Sequence, residues 1–249
     1  VAYLIGRKFG PTPVMWFTFV VLLYTTILVI NAALSGTVEE HYPWTTQFGE
    51  FGFLMDGLAS PFAIMIYVLS TILVLYSKPY MLHIFHHQFE EEHNINSSGS
   101  GQTSVIESSA LSSYVNAKSG LYFALYLLFA MGMLGTVLST NLIEFFVFFE
   151  IMLIPGFFLV ALWGAGNRRK IGLMFLFWTH SGAVILLLGF LMIGLTVGSF
   201  DFADINEANI PQDIAMISAV AIALGLGVKL AVFMFHIWLP YVHGAAPTP

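Results

Sequence analysis

The chain has 249 residues, of which 58% are hydrophobic and only 9% are charged, and its formal net charge is −6. Soluble domains carry about 25% charged residues, so this composition excludes a soluble enzyme and predicts an all-α, polytopic membrane helix bundle. Without a basic patch, nucleic acid is excluded as a partner, and without cysteine the chain cannot hold disulfides, iron–sulfur clusters or Cys-ligated zinc.

Six apolar runs are long enough to cross a bilayer as helices, which takes about 20 residues each. They cover residues 13–35, 55–77, 119–139, 140–163, 170–197 and 213–239. Residues 1–6 resemble the end of an earlier helix, and Ser139–Asn141 predicts a tight turn between the third and fourth runs. We expect residues 1–249 to form one transmembrane domain, and both ends to be those of a fragment.

The basic residues indicate the orientation of these helices, because Lys and Arg concentrate in cytoplasmic loops. Seven of the eight fall in loops on one side, namely Arg7, Lys8, Lys78, Lys118, Arg168, Arg169 and Lys170. The alternate loops hold Glu39, Glu40, Glu50, Asp201, Asp204 and Glu207 instead. The basic side is therefore predicted to be cytoplasmic. The membrane is predicted to be the plasma membrane of a prokaryote, with the mitochondrial inner membrane as the alternative.

Residues 78–118 form a long polar insertion between the second and third runs. Its first part contains His83, His86, His87, Glu90, Glu91, Glu92 and His93, and the flexible tract 97–102 follows. Imidazoles and carboxylates can bind a divalent metal. No tight ligand spacing is followed by a rigid turn, so a solvated polar insertion is the preferred interpretation.

Two acidic residues lie within the fourth run, where a charge costs about 2.5–3.5 kcal/mol at a helix centre. Phenylalanines flank Glu150, and a carboxyl group desolvated in this way can bind and release a proton. Pro155 frees one backbone carbonyl nearby and predicts a kink. A static ion pair is the alternative for Glu150. Glu144, on another face, either takes part in proton transfer or reaches the interface.

Lys229 is the basic residue inside a predicted span, and it follows small residues that permit close helix approach. With a carboxylate such as Glu150 nearby it would stay charged, and without one it would release its proton. His236 lies seven residues on, about 10 Å along a helix. Pro240 then interrupts the helix before His243. We interpret this series as a proton relay, with packing roles for the histidines as the alternative.

His180 lies about ten residues into the fifth run, between Thr179 and Ser181. The two hydroxyl groups could hydrate its imidazole. The sequence leaves two interpretations open, a proton relay and a simple interhelical hydrogen bond.

Several motifs resemble a known family. They are FFEIMLIP at 148–155, ALWG at 161–164, GVKLAVFMFHIWLPYVHGAAP at 227–247 and MDGLASP at 55–61. They are similar to the antiporter-like subunits of respiratory complex I, most of all the M subunit (chain 4) of NADH:quinone oxidoreductase. The D subunit of Mrp-type sodium/proton antiporters shares them. The resemblance covers nearly the whole chain except 79–117.

The resemblance implies a subunit of some fourteen helices in two inverted repeats, each with a discontinuous helix. Glu150 would be the fifth-helix glutamate, Lys229 the seventh-helix lysine, and His236 the link to the central hydrophilic axis. Three features depart from the family. Ala231 stands where proline is common, His180 where a neutral polar residue is common, and the polar loop is longer than usual.

The implied function is proton translocation by a membrane-arm subunit of a complex I-like NADH (or other donor):quinone oxidoreductase. No cofactor is expected in this chain, and flavin, iron–sulfur clusters and quinone would belong to partner subunits. A subunit of an Mrp-type antiporter or membrane-bound hydrogenase is the nearest alternative. A structural scaffold with an inactive ion path is the alternative from another class.

Overall fold

The computed structural model describes residues 1–45, 48–94 and 104–247. The helices among them are α1 (Ala2–Phe9), α2 (Pro11–Leu34), α3 (Ala59–Asn94), α4 (Ser104–Leu138), α5 (Leu142–Ile151), α6 (Leu153–Trp163), α7 (Arg168–Val197), α8 (Phe202–Glu207), α9 (Gln212–Lys229) and α10 (Leu239–Ala245). Two strands, β1 (Val38–Thr45) and β2 (Gly49–Met55), pair as an antiparallel hairpin, and His236–Trp238 forms a short 3-10 turn.

Six helical segments within the described residues are long and apolar enough to cross a membrane. Each corresponds to one of the six predicted runs, and the predicted turn at Ser139–Asn141 separates α4 from α5. The predicted multi-pass helix bundle is therefore confirmed. The β-hairpin was not predicted, because its residues are mostly polar and lie between two strong hydrophobic runs.

The predicted polar insertion at 78–118 is helical over most of its described length, so its prediction as a loop was wrong. Helices α3 and α4 contain 36 and 35 residues, about 50 Å at 1.5 Å per residue, whereas the hydrocarbon core is about 30 Å thick. The polar parts of these helices therefore continue beyond the membrane, where polar side chains do not oppose helix formation.

The predicted histidine and glutamate cluster lies on this part of α3. His87 and Glu91 are one helical turn apart, with 3.5 Å between Nδ1 and Oε1. Across the described segments, no group of three His, Cys, Asp or Glu side chains is close enough to hold a metal ion. The side chain of His93 and residues 97–102 lie outside the part of the chain that the structure describes.

The chain forms two compact units, and the first contains residues 1–28 and 67–127. Hydroxyl groups join its helices. Tyr122 donates to the Ser77 hydroxyl at 3.1 Å, and Tyr126 donates to the Ser70 carbonyl at 2.8 Å. The Thr26 and Thr71 hydroxyls are also in contact, at 2.9 Å. Interhelical hydrogen bonds of this kind hold helices together where the surrounding lipid provides no hydrophobic drive.

The second unit contains residues 29–66 and 128–247, including the hairpin and helices α5 to α10. Glycines allow α7 and α9 to pack backbone to backbone. A Cβ at Gly182 would lie 2.6 Å from the Cβ of Val228, and one at Gly225 would lie 2.7 Å from the Gly182 carbonyl oxygen. Close approach through small residues is typical of membrane helices, and here it fixes the position of the end of α9.

A discontinuous helix follows, as predicted, but its break lies before the predicted position. The sequence predicted one helix to about residue 239 with an interruption at Pro240, whereas α9 ends at Lys229 and residues 230–235 are not helical. Pro240 instead occupies the first turn of α10, where a missing N–H costs no hydrogen bond. The Trp238 indole donates to the Val228 carbonyl at 3.0 Å and holds the returning chain against the end of α9.

Candidate functional site

Glu150 lies near the junction of α5 and α6. Asn141 caps the start of α5, where its side-chain oxygen accepts from the amide of Ile143 at 2.8 Å. The helix is interrupted at Met152, between α5 and α6. Pro155 has no N–H to donate to the preceding turn, which weakens the helical hydrogen bonding at this place. The predicted irregularity is therefore present, and Glu150 comes two residues before it.

His180 of α7 is the partner of the Glu150 carboxylate. The distance from His180 Nδ1 to Glu150 Oε2 is 2.8 Å, which is a charge-assisted hydrogen bond when the imidazole is protonated. The Glu150 side chain is 20% exposed and that of His180 is 56% exposed. The second carboxylate oxygen, Oε1, is buried and has no hydrogen-bond partner. One oxygen of Glu150 is thus paired, and the other has no hydrogen-bond partner.

Lys229 lies close to this carboxylate without forming an ion pair with it. Its Nζ donates to the carbonyl of Phe149, the residue before Glu150, at 2.6 Å. The same Nζ lies 3.5 Å from the centroid of the Phe149 ring, within the range of a cation–π contact. Among the described side chains, Glu150 has no lysine or arginine within 4.0 Å. Lys229 and Glu150 interact over a longer distance.

Glu150 and Lys229 therefore have separate contacts, Glu150 with His180 and Lys229 with Phe149, and this arrangement follows from the packing. The glycine-mediated approach of α7 and α9 places Lys229 at the end of α9 opposite α5. His180, two residues before Gly182 on α7, faces the same part of α5. Three helices therefore bring three titratable side chains to one short segment, Phe149–Glu150.

His236 and His243 are not part of this arrangement. The expectation that His236 shares a helical face with Lys229 was wrong, because α9 ends at Lys229. The His236 ring instead stacks on Phe233 at a centroid distance of 5.9 Å. Both histidines are exposed, and the structure gives neither of them a hydrogen bond to Glu150, His180 or Lys229 in the part of the chain that it describes.

Glu144 lies at the other end of α5, where it is fully buried. Its Oε2 accepts from the backbone amides of Gly52 at 3.2 Å and Thr140 at 3.3 Å. The carboxylate therefore joins the hairpin to the α4–α5 turn and does not extend to an interface. Sequence reasoning offered no signal for this contact, because Gly52 and Glu144 are 92 residues apart.

The hydroxyl groups beside His180 do not contact it. Thr179 and Ser181 each donate to a carbonyl one turn earlier on α7, at 2.6 Å to Phe175 and 2.7 Å to Phe177. The prediction that these hydroxyls solvate the imidazole was therefore wrong, because helical hydroxyls bond readily to the preceding turn. The sequence also missed the Phe149 carbonyl, the group that Lys229 contacts.

These features define the class of protein: a multi-pass membrane helix bundle with a discontinuous helix and titratable side chains inside its spans. Residues 139–249 match the family model described as "NADH:quinone oxidoreductase/Mrp antiporter, TM". The resemblance that the motifs indicated is thereby confirmed. The curated relatives that are similar to the chain come from bacteria, in agreement with the predicted plasma membrane of a prokaryote.

Two curated relatives show the extent of the likeness. The chain is 34% identical over 138 residues to NAD(P)H-quinone oxidoreductase chain 4 3 of Picosynechococcus, which covers 54% of this chain and 25% of that protein. It is 34% identical over 129 residues to NADH-quinone oxidoreductase subunit M of Rickettsia bellii, covering 51% of this chain and 26% of that protein. The matched segments thus span about a quarter of these relatives.

Two solved structures share the fold. A chain of the Mrp complex from Dietzia matches 98% of this chain with a TM-score of 0.74 and 23% identity, over 24% of its own length. A chain of respiratory complex I from Thermus thermophilus matches 98% with a TM-score of 0.67 and 20% identity, over 46% of its own length. At these identities the likeness concerns the fold alone.

Proposed function

We propose that the chain is a proton-translocating membrane-arm subunit of a complex I-like quinone oxidoreductase. The observation that carries this proposal is the convergence of Glu150, His180 and Lys229 on one segment of α5. Buried titratable groups are costly in a membrane and are typical of proton pathways. The curated relatives at 34% identity bear the name of quinone oxidoreductase subunits, which favours this assembly over others.

The proposed mechanism follows from the two oxygens of Glu150. A proton that binds the unpartnered Oε1 neutralises the carboxylate and removes the negative charge beside His180 and Lys229. Without that charge, a cation held in a poorly hydrated interior loses its main electrostatic compensation and tends to release its proton. Alternation of charge between Glu150 and the two bases would therefore move one proton at a time through this unit.

Redox chemistry would take place in other subunits. The chain has no cysteine to hold an iron–sulfur cluster, and we propose that flavin, iron–sulfur clusters and quinone belong to partner subunits of the assembly. In that arrangement the roles of Glu150, His180 and Lys229 are to hold and transfer protons. His236 and His243 would act through water beyond the break.

Replacement of the carboxylate tests the proposal. In the assembled complex reconstituted into proteoliposomes, Glu150→Gln should abolish proton translocation, because the amide cannot bind and release a proton. Glu207→Gln is the matched control, since Glu207 is exposed on α8. Normal proton translocation by a well-assembled Glu150→Gln complex would overturn the proposal.

A second candidate is a subunit of an Mrp-type sodium/proton antiporter, because the family match names both kinds of protein and the Mrp complex shares the fold. The same proteoliposomes discriminate the two. Proton movement driven by electron donor and quinone supports the oxidoreductase subunit, whereas proton movement driven by an imposed sodium gradient supports the antiporter. An inactive scaffold would show neither.

A further inference from the structure

A second polar cluster lies at the junction of the hairpin, the α4–α5 turn and Asp201. Glu144 and Asn141 are both completely buried there. The Asn141 amide donates to the Phe48 carbonyl and to Asp201 Oδ1, both at 2.7 Å. Asn141 therefore links the half-buried Asp201 to the turn that carries the buried Glu144.

Two oxygen atoms in this cluster have no hydrogen-bond partner. They are Glu144 Oε1 and Thr140 Oγ1, and each is fully shielded from solvent. A buried oxygen of this kind costs about 1–3 kcal/mol, and more for a charged group. The two residues are already linked, because the Thr140 amide donates to the other oxygen of Glu144. Glu144 Oε1 and Thr140 Oγ1 are therefore the two oxygens at this turn that are available to a small occupant.

The charge of the surroundings favours a cation over a neutral water molecule. Within the described residues, Glu144 has no basic side chain within 4.0 Å. His41, on the strand opposite Gly52, is already shared by two exposed carboxylates, with 2.9 Å to Glu39 and 3.3 Å to Glu50. The loops on this side hold acidic residues and no Lys or Arg. Such a surface concentrates cations at its entrance.

Gly52 allows the carboxylate to be covered in this way. A Cβ at Gly52 would lie 2.6 Å from Thr140 Oγ1 and 2.9 Å from His41 Nδ1. The absent side chain brings strand β2 directly onto Glu144, and it leaves the exposed imidazole of His41 close to the unpartnered hydroxyl. The hairpin is therefore the cover of the cluster.

We propose that Glu144 and Thr140 bind a small monovalent cation, sodium or hydronium, beneath the β-hairpin. The ion contacts Glu144 Oε1 and Thr140 Oγ1, the two oxygens that the protein leaves unpaired. Hard oxygen donors suit such an ion. This site goes beyond the proposed proton pathway, because it uses none of Glu150, His180 or Lys229, and its test measures binding instead of translocation.

Hydrogen–deuterium exchange tests the site in the assembled complex, because the amides of Gly52 and Thr140 bond to the same carboxylate. Exchange is followed by mass spectrometry in peptides that cover 48–55 and 139–146, in sodium chloride and in choline chloride at equal ionic strength. A bound ion should slow exchange about tenfold when its concentration is about ten times its dissociation constant.

Two variants and two controls complete the test. Glu144→Gln should abolish the sodium-dependent protection, and Thr140→Val, which keeps both amide contacts and the shape of the side chain, should weaken binding roughly tenfold or more. Glu207→Gln and Thr136→Val should behave like the parent chain. Thr136 is a suitable control because its hydroxyl already donates to the Gly132 carbonyl.

The outcomes separate the two ions. Protection by sodium that Glu144→Gln abolishes supports sodium. Hydronium is supported when sodium has no effect and a lower pH slows exchange more than it slows the intrinsic exchange rate. This slowing should occur in the parent chain and not in Glu144→Gln. Exchange that responds to neither ion overturns the proposal. A response that is as large in Glu144→Gln and Thr140→Val as in the parent chain also overturns it.

Discussion

At the scale of single residues, the candidate site combines one carboxylate with two bases that have different contacts. His180 contacts Glu150 directly at 2.8 Å, whereas Lys229 binds the backbone carbonyl of Phe149 at 2.6 Å and lies over its ring. The imidazole contacts the carboxylate itself, and the ammonium group contacts the residue beside it. His180 is therefore the base whose loss should affect the Glu150 carboxylate most directly.

The coupling of His180 to Glu150 can be measured with a double-mutant cycle. His180→Gln should slow proton translocation, and so should Glu150→Asp, whose shorter side chain loses the 2.8 Å contact but still carries a proton. The His180→Gln/Glu150→Asp double variant should be no slower than Glu150→Asp alone, because both residues act in one hydrogen bond. Ser181→Ala, which alters the next residue of α7, is the control. Independent, multiplicative losses in the double variant would show that the two residues act separately.

The identities of the site residues were predictable from the sequence, but their contacts were not. Glu150, His180 and Lys229 attracted attention because ionisable groups are rare in apolar runs. Nothing along the chain indicates that His180 and not Lys229 pairs with Glu150, since 30 and 79 residues separate these positions from Glu150. Which side chain reaches the carboxylate depends on how glycines set the spacing of α7 and α9.

At the scale of elements, the backbone conformation of the break after α9 explains why residue 231 is alanine and not proline. Ala231 has φ 51° and Met234 has φ 82°, both in the left-handed region. The Ala231 amide also donates to the Val228 carbonyl at 3.2 Å. Proline can supply neither feature, because its φ is near −65° and it has no N–H.

Ala231→Pro should therefore destabilise the chain by about 3 kcal/mol or more, even though the family often has proline two residues after the lysine. Ala231→Gly should stabilise it by about 1 kcal/mol, because glycine adopts the left-handed conformation without strain. Denaturant titration of the chain in detergent micelles measures both. Equal stability of the proline variant and the parent would show that the break does not have this backbone.

Hydropathy located the helices well, because a membrane span is set by a local run of apolar residues. It could not locate the ends of α3 and α4, which continue as helices outside the apolar runs. It also could not locate the break at residues 230–235, where the sequence LAVFMF is as apolar as the helix before it. The strands of the hairpin are held partly by a buried carboxylate from a distant helix, Glu144.

At the scale of the whole molecule, the alternation of basic and acidic loops predicts which sides the loops occupy. The chain has no cysteine, so single cysteines can serve as labels. In intact cells, an impermeant thiol reagent should label Glu39→Cys in the hairpin and should not label Lys170→Cys at the start of α7, which becomes accessible in inverted vesicles. Labelling of both positions from the same side would contradict the assigned orientation.

The central claim is that Lys229 and the Glu150 carboxylate form one proton-transfer site, and the number of protons translocated per substrate turnover tests it most directly. In the reconstituted complex, Lys229→Met should lower this number while substrate turnover continues, because methionine keeps the packing beside Phe149 but carries no proton. Lys170→Met, at an exposed position, should leave the number unchanged. An unchanged number in a fully assembled Lys229→Met complex would contradict the account.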